Sequence, residues 1–322
     1  MVRADWLDLL PGASRAWVAR MDIVRVNGVL CWEDKNSGVR LPMHLARMPR
    51  GDEILTPRSV GPKEDIWDIS GELQSREDVE LKHPLHSVEE LLGGGEFDHP
   101  KQIAADYGDE YFLCYWLDAS FLHAYRVLGY QGLMLMQHDN PDLLHYLLER
   151  YLAQAREEML AWKQAGAHGA FVCDCFSGAD SISPRAYDEW AHAYNVLFFE
   201  QLNRIGTLSI LQLCGAAVPR LDRMVESGAK AVSVEESKKD FVLDIEEVVD
   251  RVKGRAAVFG NIDAVRFGAG GTMDEMAAEV KRQAKIGTHA RGFVVGTESP
   301  VPLDTNPRNV DAMVTTAHSI QG

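Results

Sequence analysis

The sequence predicts an α/β fold: a (β/α)8 TIM barrel with an N-terminal non-barrel extension. Three observations carry that expectation. Five short apolar runs recur after residue 167, at 168–174 (HGAFVCD), 207–214 (TLSILQLC), 230–235 (KAVSVE), 256–261 (AAVFGN) and 291–298 (RGFVVGTE). A helix-like segment separates each run from the next, and strands alternating with helices of this length build parallel βαβ units. The runs are continuous in Val, Ile and Leu, as strands buried on both faces are. In such a barrel the carboxyl ends of the strands form the active-site face. Asp174, Cys214, Glu235, Asn261 and Glu298 close the five runs and are expected to converge there.

The elements follow in chain order. Residues 1–100 show no βα rhythm and are expected to cover part of the barrel, whose core spans 101–322 in one domain. Residues 21–34 (MDIVRVNGVLCWED) read as a hairpin turning at Asn27-Gly28. Residues 48–69, rich in Pro, Gly and charge, read as loop with short strands. Three successive glycines make 91–99 (LLGGGEFDH) a flexible joint. The barrel rhythm begins near Tyr111. Residues 141–166 form a long amphipathic helix with Leu143, Leu147, Tyr151, Ala155 and Met159 on one stripe, capped by Asn140-Pro141-Asp142 and ended by Gly166. Ser183-Pro184 starts the next helix, with Pro in the first turn.

Composition narrows the function. The chain has 322 residues, 46% of them hydrophobic, which supports a large core and argues against disorder. No apolar run reaches the ~18–20 residues of a membrane span. The charged start, with Asp5 and Asp8, makes a poor secretory signal, so a cytoplasmic enzyme is expected. A net charge of −15 repels phosphate backbones and disfavours nucleic acid as a partner. Cys31, Cys114, Cys173, Cys175 and Cys214 are an odd, scattered set that reads as free thiols.

Each reactive position has two readings. Cys214 stands before a helix, where a thiolate is stabilised and could ligate a soft metal; it could equally be a small buried hydrophobe. Gln212 shares its strand face. Cys173 and Cys175 share a face and read as packing, with Asp174 on the other. Asp174 closes an apolar run, where an Asp is rare without a partner, and reads as a functional carboxylate. Glu235 points to the pocket and Glu236 to solvent or a helix cap. Asn261 binds a ligand or pins a turn, and residues 297–300 (TESP) form a polar strand end. No His-x-x-x-His zinc spacing, GxxxxGK[ST] loop or GxSxG elbow is present.

From about Tyr111 onward the chain resembles the uroporphyrinogen decarboxylase superfamily, closer to its corrinoid-linked methyltransferases than to the decarboxylase. Four segments carry the resemblance: 174–190 (DCFSGADSISPRAYDEW), Leu213-Cys214-Gly215 against the family's His-x-Cys-Gly, 259–263 (FGNID), and 301–305 (VPLDT) with 309–313 (NVDAM). It implies a TIM barrel and an enzyme that moves methyl groups to or from a corrinoid (cobalamin), free or on a partner protein. In those members zinc, held by the His and Cys of His-x-Cys and a later Cys, activates a thiol. Here Gln212 and Ser299 stand at the His and late Cys positions, and only Cys214 remains. A remodelled site would use Cys214 with Glu235 or Glu298, because zinc accepts carboxylate oxygen. The decarboxylase's paired-Arg segment is missing; residues 15–20 (RAWVAR) have another spacing.

The expected function is therefore corrinoid-dependent methyl transfer, with a thiol, a folate or a small methylated compound as the other partner. Asp174, Cys214 and Glu235 are the expected catalytic groups, and Gln212, Asn261, Glu298 and Ser299 the expected substrate-binding ones. A small-molecule substrate, a corrinoid protein and a homodimer mate are the expected partners. The alternatives are a decarboxylase of an acidic substrate and a catalytically weakened corrinoid-binding protein.

Overall fold

A computed structural model describes residues 5–42, 73–237 and 241–320. Residues 48–69 lie outside them. Its strands are β1 (Trp6–Leu9), β2 (Met21–Val26), β3 (Val29–Asp34), β4 (Arg40–Pro42), β5 (Phe112–Asp118), β6 (Gly169–Cys173), β7 (Leu208–Leu213), β8 (Ala231–Val234), β9 (Ala257–Phe259) and β10 (Phe293–Val294). Two compact units divide the chain. One comprises Met1–Leu7, Cys114–Tyr125 and His168–Gly322; the other comprises Asp8–Leu113 and Arg126–Ala167. The division expected at residue 100 coincides with the limits of neither.

In the first unit the five apolar runs are β6 to β10, neighbours in a seven-stranded sheet ordered β1-β5-β6-β7-β8-β9-β10. Every pairing from β5 to β10 is parallel. One face of the sheet is dry: Tyr115, Val172, Leu211, Leu213, Val232, Val234 and Val258 are fully buried. The other face carries Trp116, Phe171 and Phe259. Trp6 of the edge strand β1 meets Phe171 at 5.8 Å and Phe259 at 5.7 Å, both edge-to-face. Since β9 is one strand from the opposite edge, a single indole can bridge these positions only if the sheet curls. The fold is thus a mixed α/β, TIM-like one with a curled sheet; among the described residues β10 is not paired with β1. Placing β1 in this sheet corrects the reading of the whole N-terminal stretch as non-barrel. Four residues are too few for a periodicity to stand out.

The second unit contains the expected hairpin. Val26 faces Val29 across it, and Asn27 (φ 48°) and Gly28 (φ 85°) take the left-handed geometry of a type I′ turn. Arg20 ion-pairs with Asp34, whose side chain is fully buried, and holds its carboxyl well below the usual range. Residues 91–99 are an ordered turn, not a flexible joint. They link the helices Val88–Gly93 and Asp98–Tyr107. Gly95 (φ 91°) passes so close to Arg15 that a Cβ would lie 2.5 Å from its Cγ, while Arg15 clamps Asp98 at 2.7 and 2.9 Å. Of the three glycines, Gly95 is there for clearance and for its left-handed backbone. The helix Pro141–Gln164 starts where Asn140 Oδ1 accepts the Leu143 N–H at 3.3 Å. It buries Leu143, Leu147, Ala155 and Met159, with Tyr151 half-buried. Among the described residues no helix is long and apolar enough to cross a membrane.

Trp6 bridges the curled sheet, so Trp6→Ala should cost about 3 kcal/mol, the bottom of the range for losing a large aromatic. Urea denaturation measures this, and Trp6→Phe should recover part of the loss. An unchanged midpoint for Trp6→Ala would show that the sheet curls without β1.

Candidate active site

The pleat of β6 sets the geometry of the site. Cys173 donates its thiol proton to Gln212 Oε1 on β7, so both point to the concave face. Cys173 is in register with Gln212, and the Asp174 N–H continues the ladder to the Gln212 carbonyl at 2.8 Å. Two residues further on in each chain, Cys175 comes beside Cys214. The proximity of Cys175, followed by burial, pushes the thiols of Cys173 and Cys214 up. Glu298 adds to the shift of both, Asp118 to that of Cys173 and Glu235 to that of Cys214. Buried Cys173 and half-buried Cys175 and Cys214 thus share one neighbourhood, within the electrostatic reach of Asp118, Glu235 and Glu298 at the carboxyl ends of β5 and β8 and after β10.

Backbone contacts hold the rim. The Gly215 N–H donates to Glu235 Oε2 at 2.8 Å, tying the turn after β7 to the end of β8. Gly215 has φ 90°, and a Cβ there would lie 2.5 Å from Asp180 Oδ1. Asp180 Oδ1 accepts the Ala216 N–H at 2.8 Å, and the Ala179 N–H reaches the Ala216 carbonyl at 3.1 Å. Gly178 is equally confined: its Cβ would lie 2.9 Å from the Cys214 carbonyl oxygen. The segment after β6 therefore lies flat on the turn that carries Cys214. Phe176, in left-handed geometry (φ 70°), stacks on Tyr125 at 3.9 Å. Strain at a non-glycine residue next to reactive groups is a common mark of a functional site.

Each expected residue has a definite place. Gln212, Cys214, Glu235 and Glu298 gather around the thiols. Asn261 is close by but works as a pin. Its Nδ2 donates to the carbonyls of Glu235 (3.2 Å) and Leu243 (3.4 Å), while Gln283 donates to its Oδ1 at 3.3 Å. Ser299 donates to both oxygens of Glu236 at 2.9 Å. Asp174 is not brought to the concave face. Cys173, the last residue of β6, points there, so alternation sends the Asp174 carboxyl the other way. Fully buried, it accepts from Asn195 Nδ2 at 2.7 Å, and Oδ1 has no hydrogen-bond partner among the described residues. Burial pushes its pKa up to about 7. Behind it Arg220 stacks over Tyr187 at 4.5 Å, in a π-helical stretch Tyr187–His192. Cys173 and Cys175, which read as packing from the sequence, lie near Cys214, and Asp118, Asp180 and Asn195 join the site without a sequence motif of their own. One signal was available: two paired i, i+2 positions, Cys173/Cys175 and Gln212/Cys214, at equivalent ends of successive runs.

The zinc set of the resembling methyltransferases does not fit these side chains. Gln212 is engaged by Cys173 and Ser299 by Glu236. Among the described residues no three His, Cys, Asp or Glu side chains are grouped so as to hold a metal ion.

Asp174 makes stability pH-dependent with a known sign. Its pKa rises from an ordinary 3.8 to about 7 on folding, so between those values the folded chain holds a proton that the unfolded chain has released. Stability should fall as the pH rises from about 4 to 7, and the cost should persist above that. Asp174→Asn removes the charge and keeps an acceptor for Asn195. It should raise the melting temperature clearly more at pH 8 than at pH 4.5. Equal destabilisation at both pH values would mean that the buried carboxylate is favourably paired.

Residues 73–320 match the uroporphyrinogen decarboxylase (URO-D) family. Similar curated proteins include a uroporphyrinogen decarboxylase of Prochlorococcus marinus (strain NATL2A), 27% identical over 264 residues that cover 76% of this chain and 72% of that one. Another is the uroporphyrinogen decarboxylase of Xylella fastidiosa (strain Temecula1 / ATCC 700964), 26% identical over 267 residues, covering 80% and 71%. Among solved structures, a methyltransferase from Methanosarcina mazei shares the fold with a TM-score of 0.65 at 20% identity, over 75% of this chain and 69% of that one. With the match running through most of its length, the chain belongs to the uroporphyrinogen decarboxylase (URO-D) family.

Proposed function

We propose that this chain is a corrinoid-dependent methyltransferase built on a (β/α)8 barrel. In this reading it moves a methyl group between a corrinoid and a thiol, a folate or a small methylated compound, with the corrinoid free or on a partner protein in the cytoplasm. The observation that carries the reading is the chemistry of the concave face. The charges that act most on Cys173 and Cys214, apart from Cys175, are the carboxylates Asp118, Glu235 and Glu298. Such a surface repels a polycarboxylate substrate and suits a neutral or cationic methyl carrier. The similar fold of a protein named a methyltransferase supports the same reading.

The chain's own groups have defined tasks in this scheme. Methyl transfer needs donor and acceptor aligned in a site of low dielectric. The raised thiols of Cys173 and Cys214 keep their protons and offer weak S–H donors. Glu235 is fixed by the Gly215 N–H and Asn261 fixes the carbonyl of Glu235, so the rim is rigid before substrate arrives. Glu298, beside both raised thiols, takes the proton that an acceptor thiol loses as it attacks the methyl group. Asp174 is a positioning residue, holding the end of β6 against Asn195 so that Cys173 and Cys175 face inward.

A second reading, decarboxylation of an acidic substrate, is favoured by the names of the curated relatives. Methylcobalamin offered with thiol and folate acceptors separates the two. The proposal predicts loss of the methylcobalamin spectrum with one of the acceptors, and Glu298→Gln should slow that loss by ~10²-fold or more, as removal of a general base does. Release of CO₂ from a tetrapyrrole carboxylate, without any corrinoid spectral change, would replace the proposal by decarboxylation. Binding of the corrinoid without turnover would identify a catalytically weakened binding protein.

A further inference from the structure

We propose that Cys175 and Cys214 form a reversible disulfide, making the concave face a site of thiol oxidation whichever reaction it serves. The geometry rests on strand register. Cys173 and Gln212 are paired Cα to Cα, and the next ladder bond, Asp174 N–H to the Gln212 carbonyl, keeps the chains together beyond the strand end. Adjacent strands run about 4.8 Å apart, within the Cα separation a disulfide spans. Cys175 and Cys214, each two residues beyond that pair, are near enough that Cys175 acts most strongly of all groups on the Cys214 thiol. Both are half-buried, so a small oxidant reaches them, whereas Cys31 and Cys114 are buried. Cys173 is buried and donates to Gln212, which leaves Cys175 and Cys214 as the reacting pair.

The segment that carries Cys175 is also pinned to the turn that carries Cys214. Asp180 and the Ala179–Ala216 backbone bond hold the two together, and Gly178 and Gly215 permit the close approach. Closing the bond therefore needs side-chain rotation rather than unfolding. With a low-molecular-weight disulfide as oxidant, the Cys175 thiolate attacks one of its sulfurs and expels the other half as a thiol. The Cys214 thiolate then attacks the Cys175 sulfur and expels the second half. Two protein thiols are oxidised by two electrons, and their protons go to the two released thiols. Because Cys214 holds its proton tightly, the second step is the slow one and quickens as the pH rises.

Glutathione disulfide applied to the folded full chain tests this, followed by acid quench, alkylation, trypsin digestion and peptide mass analysis. Arg185 and Arg204 lie between the two cysteines, so a cross-link joins two tryptic peptides. The expected product is one Cys175–Cys214 cross-linked pair, formed faster at pH 8.5 than at pH 7 and removed by dithiothreitol. It should persist in Cys173→Ala, which assigns the link to Cys175. Cys214→Ser should instead leave glutathione on Cys175. Failure of the pair to form in both wild type and Cys173→Ala overturns the proposal. So does a bond between Cys173 and Cys175 that leaves Cys214 alkylated. The readout is mass, so it stands or falls apart from the methyltransferase assay.

Discussion

The two-residue period of a β-strand, held in register from β6 to β7, is the constraint on which the rest of the site depends. It puts Cys173, Cys175, Gln212 and Cys214 on one face, and the same period puts the Asp174 carboxyl on the other. A slip of one residue would exchange the two sets, burying thiols among the helices and exposing Asp174 on the concave side. The register is defended from both directions. On the dry face Val172, Leu211 and Leu213 are fully buried, so a slip would drive polar groups into the core. On the concave face the Cys173–Gln212 bond ties the strands side chain to side chain.

That arrangement explains how a carboxylate-rich surface can coexist with raised thiols. Carboxylates near a thiol disfavour the thiolate, and burial acts in the same direction. Each effect keeps Cys173 and Cys214 protonated and makes them poor nucleophiles in the resting state. Of these carboxylates, Glu235 is tied down by the Gly215 N–H, and Asn261 holds its backbone carbonyl. A rim fixed in this way contributes orientation without having to reorganise when substrate binds. The strained Phe176 and the glycine contacts at 178 and 215 are local costs of laying one loop flat on another.

Much of the fold was legible because strands buried on both faces announce themselves as continuous apolar runs. All five such runs are neighbouring strands, and the Asn27-Gly28 turn and Asn140 cap follow from side-chain chemistry within a few residues. What stayed hidden depended on contacts distant in sequence. Gly94 and Gly95 look like a hinge until Arg15, 80 residues away, is seen packed against them. β1 is too short to show a period and gains its place only through Trp6 on Phe171 and Phe259. In the site, strand ends single out Cys214 and Glu235, which the Gly215 N–H links through the Glu235 carboxylate. Asp174 was equally conspicuous, but a strand-end position alone does not say which face a side chain takes. The alternation that grouped Cys173 with Cys175 already implied the answer, and Gln212 two residues before Cys214 completed it.

The central claim is that the concave face bearing Cys175 and Cys214 is where substrate binds. The rate at which iodoacetamide labels each cysteine, with and without saturating methylcobalamin, tests it most directly. The account predicts that methylcobalamin slows labelling of Cys175 and Cys214 together, at least several-fold, while buried Cys31 and Cys114 stay unreactive in both conditions. Bound methylcobalamin that leaves the labelling of both half-buried cysteines unchanged would contradict it.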